Sequence, residues 1–239
     1  MAKEIFDRVC ALVGLVLLLP VFLVVCVLVW MQDWRSPFYV SDRSGRAGSF
    51  RMIKIRSMVI GADRGASSTS GDDARITPIG RFIRRWKIDE LSQLVNVLKG
   101  DMSLVGPRPE VMSEVGTYTE VEKGLLTIKP GITDFSSIVF ADEGEILRGA
   151  ANPELAYRQL IRPWKSRLGL FYGAHRDMRL DLQLILLTLV RIVAPDRAMA
   201  GVSRLLARRG APEDLVRVAR RTAPLTPHAA PGRTEPFEG

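Results

Sequence analysis

Val9-Cys10-Ala11-Leu12-Val13-Gly14-Leu15-Val16-Leu17-Leu18-Leu19-Pro20-Val21-Phe22-Leu23-Val24-Val25-Cys26-Val27-Leu28-Val29-Trp30 carries no charge at all. A helix of that length extends about 30 Å, the thickness of a bilayer core. A cleaved leader is a poor reading of it. The preceding Lys3-Glu4-Ile5-Phe6-Asp7-Arg8 is neutral overall, the apolar run is too long, and bulky Trp30-Met31-Gln32 stands where small residues are needed. The segment is therefore expected to stay. Pro20 at its midpoint removes a backbone donor and crowds the carbonyl four residues back. Membrane helices tolerate proline and commonly kink at it. Such a segment either crosses the bilayer or dips into one leaflet and returns. Arg35, Arg43, Arg46, Arg51, Lys54 and Arg56 follow it, so the C-terminal bulk is assigned to the cytoplasmic side, while charge leaves the N-terminus unassigned.

Outward from this run the composition is that of a globular protein. The chain has 239 residues, 47% apolar and 25% charged, which excludes a disordered polymer. Its net charge of +8 calls for anionic company, whether nucleic acid, an acidic membrane face or a phosphorylated substrate. Two cysteines and two histidines exclude a disulfide scaffold, a cysteine zinc site and a histidine-rich metal centre. Residues 37–58 read as a β-hairpin turning at Gly45 and Gly48, and the Gly/Ser/Asp-rich stretch from Gly61 to Asp73 as a mobile loop. Helical spacing returns at 78–83 and again at 89–98, where Leu91, Leu94, Val95 and Leu98 share a face before Gly100. Residues 153–170 read as helical except at Pro163. Leu180–Val193 is too short to span a bilayer and reads as a core helix or one lying on the membrane surface. Past Pro195 the chain becomes rich in Arg, Ala and Pro: one or two short basic helices are expected in 201–221 and disorder from Pro224 onward.

Chemistry concentrates between Arg81 and Glu110. Arg81, Arg84, Arg85 and Lys87 crowd ahead of the adjacent acids Asp89 and Glu90. Acids at a helix start complement its dipole, and basic neighbours can be a plain solvated face. The same carboxylates among fixed cations also suit phosphate chemistry, one as nucleophile and the other as a Mg²⁺ ligand. Lys54 and Arg56, two apart, leave one face of a strand, where they either guard an edge or bind an anion. Pro107 and Pro109 stiffen the backbone around Arg108, which suits bidentate phosphate recognition as well as a structural turn.

Taken together these pieces resemble the bacterial sugar transferases, the monotopic phosphoglycosyl transferases that start glycan assembly on a polyprenol phosphate. The resemblance rests on Arg43-Ser44-Gly45-Arg46-Ala47-Gly48-Ser49-Phe50, on Lys54 to Met58, on Thr77-Pro78-Ile79-Gly80-Arg81-Phe82-Ile83-Arg84, and on Asp89-Glu90-Leu91-Ser92-Gln93-Leu94. It is completed by Gly100-Asp101-Met102-Ser103-Leu104-Val105-Gly106-Pro107-Arg108-Pro109-Glu110 and Lys129-Pro130-Gly131-Ile132-Thr133. These pieces occur in family order over about residues 3–193.

The resemblance implies a mainly helical α+β protein. Residues 1–35 form a re-entrant membrane helix hairpin broken at Pro20, 36–195 a small cytoplasmic catalytic domain with a short β-hairpin, and 196–239 a partly disordered tail. It implies that Asp89 attacks a UDP-sugar to give a phosphosugar-aspartyl intermediate and UMP, and that undecaprenyl phosphate then collects the phosphosugar. Glu90 would hold Mg²⁺ and assist the lipid phosphate. Arg108 would bind the nucleotide diphosphate, with Pro109, Lys54, Arg56, Arg81, Arg84 and Gln93 as further substrate-binding candidates. The implied setting is the inner face of a bacterial cytoplasmic membrane in exopolysaccharide or lipopolysaccharide synthesis, with membrane lipids and a second copy as partners and no nucleic acid. Four positions depart from the pattern: Ser92 for Pro, Leu19 for Ser before the membrane proline, Asp134 for Gly, and Lys3-Glu4 for a basic pair. Two other classes compete. A non-catalytic scaffold or UDP-sugar sensor would bind the donor without turnover. A basic nucleic-acid binder would draw on the arginine-rich tail but lacks a zinc-finger or aromatic RNA-binding pattern.

Overall fold

The computed structural model describes residues 2–62 and 69–238. Residues 63–68, the centre of the expected loop, lie outside the described residues.

The apolar run forms α1, Ala2–Met31, helical throughout and apolar and long enough to cross a membrane. It was expected to break at Pro20, yet it continues through it. Proline costs the ladder one donor, and the remaining bonds on either side hold the helix. Burial along α1 is uneven. Before the proline, Asp7 and Ala11 are buried and Gly14 lies against Leu94; after it, Val25 and Val29 are buried. Between them every residue from Val16 to Val21 is exposed, more than one full turn of the helix. Both limbs thus touch the folded domain while the middle leaves it on all sides.

The hairpin is as the turn glycines predict. β1 (Phe38–Gly45) and β2 (Gly48–Ile55) pair antiparallel, with Phe38 opposite Ile55 and Gly45 opposite Gly48. Beyond it, Thr77 caps α2 (Pro78–Arg85), accepting from the Gly80 N–H at 2.9 Å. A short 3₁₀ turn, Ile88–Glu90, precedes α3 (Gln93–Lys99), which ends at Gly100 in the left-handed region. A second sheet went unpredicted. β3 (Ser103–Val105) and β4 (Gly131–Thr133) pair parallel, each only three residues long. Their closeness needs two glycines: a Cβ on Gly106 or Gly131 would run into the other's backbone.

The main core is helical. After the short α4 (Met112–Val115), α5 (Phe135–Val139) is capped by Asp134, whose carboxylate accepts from the Ser137 N–H at 2.7 Å and from the Ser136 hydroxyl. The charge that departs from the family glycine is thus a helix cap. After the short α6 (Glu143–Ile146) and α7 (Pro153–Ala156), a π turn over Tyr157–Ile161 leads into α8 (Arg162–His175). Pro163 lies within a helical run unbroken from Pro153 to His175, and the π turn directly precedes the place where its N–H is missing. α9 (Met178–Val193) buries Leu180 and Leu184 and exposes the opposite face.

The short basic helices expected in 201–221 are present, but they are part of the domain and not a separate tail. α10 (Pro195–Arg208) and α11 (Glu213–Arg220) place Ala198, Val202, Leu206 and Ala219, each 0% exposed, in the same core as Phe135, Leu168 and Leu184. Residue 195 is therefore not an edge of the core. The last segment has no regular structure but lies on the domain. The His228 N–H donates to the Gln159 carbonyl at 3.0 Å, the Thr119 hydroxyl reaches the Pro231 carbonyl, and the His228 ring stacks on Trp164. Its apolar and aromatic residues (Leu225, His228, Phe237) were the overlooked signal against disorder.

Candidate active site

Asp89 and Glu90 occupy the 3₁₀ turn between α2 and α3, reached through Lys87 at φ 56°. Asp89 was open to being a helix cap and is not one: it makes no cap bond to α3. Both carboxylates face inward. Lys54 Nζ, from β2, stands 4.0 Å from Asp89 Oδ2 and 3.8 Å from Glu90 Oε1, and Arg108 Nη2 donates to the same Glu90 oxygen at 3.0 Å. Asp89 Oδ1 is buried and meets no donor among the described residues.

Local structure fixes these distances. Ser92, where the family usually has Pro, donates its hydroxyl to the Ile53 carbonyl of β2 at 3.0 Å. Asn96, fully buried, donates to the Arg51 carbonyl at 2.8 Å and accepts from the Ile53 N–H at 3.1 Å. Together they bind α3 to the free edge of β2 on either side of the residue before Lys54. On the other flank, the Gly131 N–H donates to the Pro107 carbonyl at 3.0 Å, and Ser44 N–H donates to the Glu110 carbonyl at 2.9 Å. The Pro107-Arg108-Pro109 backbone is thereby gripped from β4 and β1.

Electrostatics separates the two acids. Burial pushes Glu90 up, but Arg108, Lys87 and Lys54 overcome it and hold the carboxyl down at about 2. Burial raises Asp89, with Lys54 opposing and the Glu90 charge adding to the rise. Burial, helped by Arg108, lowers Lys54 to about 8, against the pull of both acids. Glu90 raises Arg108 further above its already high range. A permanently ionised carboxylate thus sits beside one with raised proton affinity.

The remaining sequence candidates divide. Arg84 is drawn toward Asp89 electrostatically and donates to the Ser57 hydroxyl at 2.9 Å. Pro109 is buried and stiffens the Arg108 loop. Gln93 is 2% exposed, and its Nε2 meets no acceptor among the described residues. Arg56 does not share a face with Lys54, because β2 ends at Ile55. Its guanidinium instead grips Asp33 at 2.6 Å through two nitrogens and the Ser36 carbonyl at 3.0 Å, tying α1's end to the domain. Arg81 is exposed on α2 and is not brought to the dyad. Sequence reasoning left out Arg43, desolvated beside Glu110 and Arg108, and Tyr157, whose hydroxyl donates to Glu110 at 2.9 Å. It also left out Glu143, bound by Lys165 and acting on Arg108 and Lys87. Arg43 lay in a quoted motif; the other two are separated from the dyad by more than fifty residues and carried no local signal.

For Mg²⁺ the chain's own donor set is small: no group of three His, Cys, Asp or Glu side chains stands together among the described residues. Glu90, whose Oε1 meets Arg108 and Lys54 and whose second oxygen meets no donor among the described residues, nonetheless offers the single carboxylate that Mg²⁺ can use when phosphates supply the rest. Glu90 fits that role.

Residues 1–195 match the family described as bacterial sugar transferase. Among relatives, the chain is 34% identical over 205 residues to a UDP-glucose:undecaprenyl-phosphate glucose-1-phosphate transferase of Xanthomonas campestris pv. campestris, a match covering 82% of this chain and 40% of the relative. It is 40% identical over 147 residues to the galactosyl transferase CpsE of Streptococcus agalactiae serotype III (strain NEM316), covering 55% and 32%. To the uncharacterized sugar transferase EpsL of Bacillus subtilis (strain 168) it is 33% identical over 195 residues, covering 81% and 88%. The chain thus spans less than two thirds of the first two relatives and most of the third.

Proposed function

The chain belongs to the bacterial sugar transferases, and from that premise we propose that it moves a sugar 1-phosphate from a UDP-sugar to undecaprenyl phosphate, releasing UMP. One observation carries the reading: a buried Asp89–Glu90 pair whose charge is balanced by Lys54 and Arg108, on a domain attached to a bilayer-length apolar helix. Asp89 Oδ1, which meets no hydrogen-bond donor among the described residues, attacks the phosphorus that bears the sugar. The P–O bond to UMP breaks, and the phosphosugar stays on the carboxylate. An oxygen of undecaprenyl phosphate then attacks the same phosphorus, the Asp89–phosphorus bond breaks, and polyprenol diphosphate sugar leaves. Lys54 keeps Asp89 ionised for the first step, and Arg108 receives the diphosphate. Glu90, together with the donor phosphates, would hold Mg²⁺, which would supply charge neutralisation at phosphorus. Positioned charge of this kind is the main means of catalysing phosphoryl transfer.

A lipid acceptor requires the dyad at headgroup depth, with α1 entering and leaving on the cytoplasmic side of the bacterial inner membrane. Support comes from residues buried against one domain on both sides of Pro20, Asp7 and Ala11 before it and Val25 and Val29 after it, with an all-exposed stretch around the proline. The product would feed exopolysaccharide or lipopolysaccharide synthesis. The test is intact-protein mass after exposure to a panel of UDP-sugars without acceptor. Gain of one phosphosugar with UMP release, absent in Asp89→Asn, is expected. Product formation by an Asp89→Asn protein that never gains this mass would remove the mechanism, and donor binding without turnover would favour the sensor.

A further inference from the structure

α10 lies outside the family match, and its outer surface has a use the transfer reaction does not explain. α9 and α10 run antiparallel: Leu187 packs on Gly201, and Arg209 near the end of α10 pairs with Asp177 at the start of α9 at 2.6 Å. Opposite its buried Leu180 and Leu184, α9 presents Leu182, Leu186, Leu189 and Val193, which are 49%, 61%, 59% and 79% exposed. At 100° per residue these four fall within an arc of about 60°. On α10, Arg197, Arg204 and Arg208 are exposed and meet no acceptor among the described residues, although Arg209, Arg220 and Arg221 all do. The three unpaired arginines fall within about 40° of arc, on the flank of Gly201 and hence beside α9. Asp196 lies about 140° round from Gly201 and does not neutralise them.

We propose that the α9–α10 hairpin is a docking surface for anionic phospholipid headgroups, with the α9 leucines in the interface and Arg197, Arg204 and Arg208 on lipid phosphates. This rests on the membrane reading above. Two features choose a bilayer over another occupant. The basic row flanks the apolar stripe along its whole length, as in helices lying in a headgroup layer. The surface also joins the anchor, because Lys3 of α1 pairs with Asp181 of α9 at 2.5 Å. Arginine stems can cover the stripe's margin while their heads stay at phosphate level.

The full chain is reconstituted in vesicles of phosphatidylcholine, with or without phosphatidylglycerol. An environment-sensitive fluorophore is placed at Val193→Cys in a Cys10→Ser, Cys26→Ser background, and brominated lipids serve as quenchers. Phosphatidylglycerol is expected to increase quenching at 193, and high salt to reverse the increase. Each arginine contributes about fivefold to the docked-to-undocked ratio, so Arg197→Gln/Arg204→Gln/Arg208→Gln lowers it on the order of a hundredfold. The labelled protein must retain UMP release, which reports folding. Quenching at 193 that ignores lipid charge, or that survives the triple substitution, overturns the proposal. So does a label that stays aqueous while one at Leu17→Cys is quenched, because the anchor then holds without the hairpin. Vesicle-independent crosslinking of 193 to a second copy assigns the face to self-association and overturns it too. If neither label is quenched, the membrane reading itself fails.

Discussion

Removing the Lys54 charge should change the pH dependence of the first chemical step more characteristically than its rate. At 4.0 Å from Asp89 Oδ2, the ammonium stabilises that carboxylate by about 4 kcal/mol at an effective dielectric of 20, about three pK units. Lys54 is 18% exposed at the side chain, so water screens part of this, and half the shift is a fair working figure. In Lys54→Met, Asp89, already raised by burial, needs a still higher pH to ionise. Over the pH range in which Asp89 is protonated in both proteins, kcat/KM for UMP release should be lower in the variant on the order of 10- to 100-fold. The wild type has an additional limb. Lys54 is charged below about 8 and loses its proton above, so wild-type kcat/KM declines as pH rises through that value. Lys54→Met has no such group to lose. The two profiles should therefore converge above pH 8 and diverge below it. The measurement is kcat/KM for UMP release across pH in detergent micelles with undecaprenyl phosphate. Profiles separated by a constant factor at every pH would show that Lys54 acts through packing and not through its charge.

Three further outcomes follow from the same contacts. Arg108→Lys keeps the charge but loses the planar fork that meets Glu90, so kcat/KM should drop on the order of 100-fold, with KM for the donor rising, read by steady-state kinetics. Glu122 is 0% exposed and accepts from Arg162 at 3.0 Å and Ser166 at 2.7 Å; Glu122→Gln removes one of the two carboxylates on the buried guanidinium, Glu114 staying at 3.3 Å, and should cost about 1–3 kcal/mol by denaturant midpoint. Gly80→Ala drives a Cβ into the Ser57 carbonyl, so it should destabilise by more than the ~1 kcal/mol that alanine ordinarily gains in a helix and loosen the Ser57–Arg84 bond, seen as a lowered melting temperature.

What the sequence made legible was local. The hairpin followed from Gly45 and Gly48, α2 from Thr77-Pro78, and the end of α3 from Gly100, because each depends on a few adjacent residues. The dyad and Arg108 were legible as motifs, though nothing in the spacing said that one Glu90 oxygen would receive both Arg108 and Lys54. β3 and β4 were missed because three-residue strands carry no alternation to detect, and parallel pairing joins segments far apart in sequence. Arg56 was misjudged because two-residue periodicity holds only while the strand lasts, and β2 stops one residue short of it. In the tail the helices of 201–221 were legible, but their packing was not: arginine-rich composition hid the spacing of Ala198, Val202, Leu205 and Leu206 that buries α10 in the main core.

The position of the site follows from what borders β2. One edge of β2 pairs with β1; the other edge meets no strand, and Asn96 and Ser92 bond Arg51 and Ile53 there as a neighbouring strand would. Because those bonds come from side chains of α3, the dyad turn just before α3 is fixed in register with Lys54 instead of sliding along it. The same strand meets both limbs of the apolar helix. Met52 packs with Ala11, and Ile55 packs with Val25 and Val29. Four consecutive residues thus bear on the first limb, the α3 register, the dyad and the second limb. Any shift of α1 relative to β2 would have to break a buried contact on one side of Pro20 or the other, so the carboxylates are held in a fixed position relative to α1. Under the mechanism proposed above, in which one nucleophile meets a water-soluble donor and a lipid-borne acceptor in turn, such a fixed placement would be the geometric requirement. β2 meets it with a strand of eight residues.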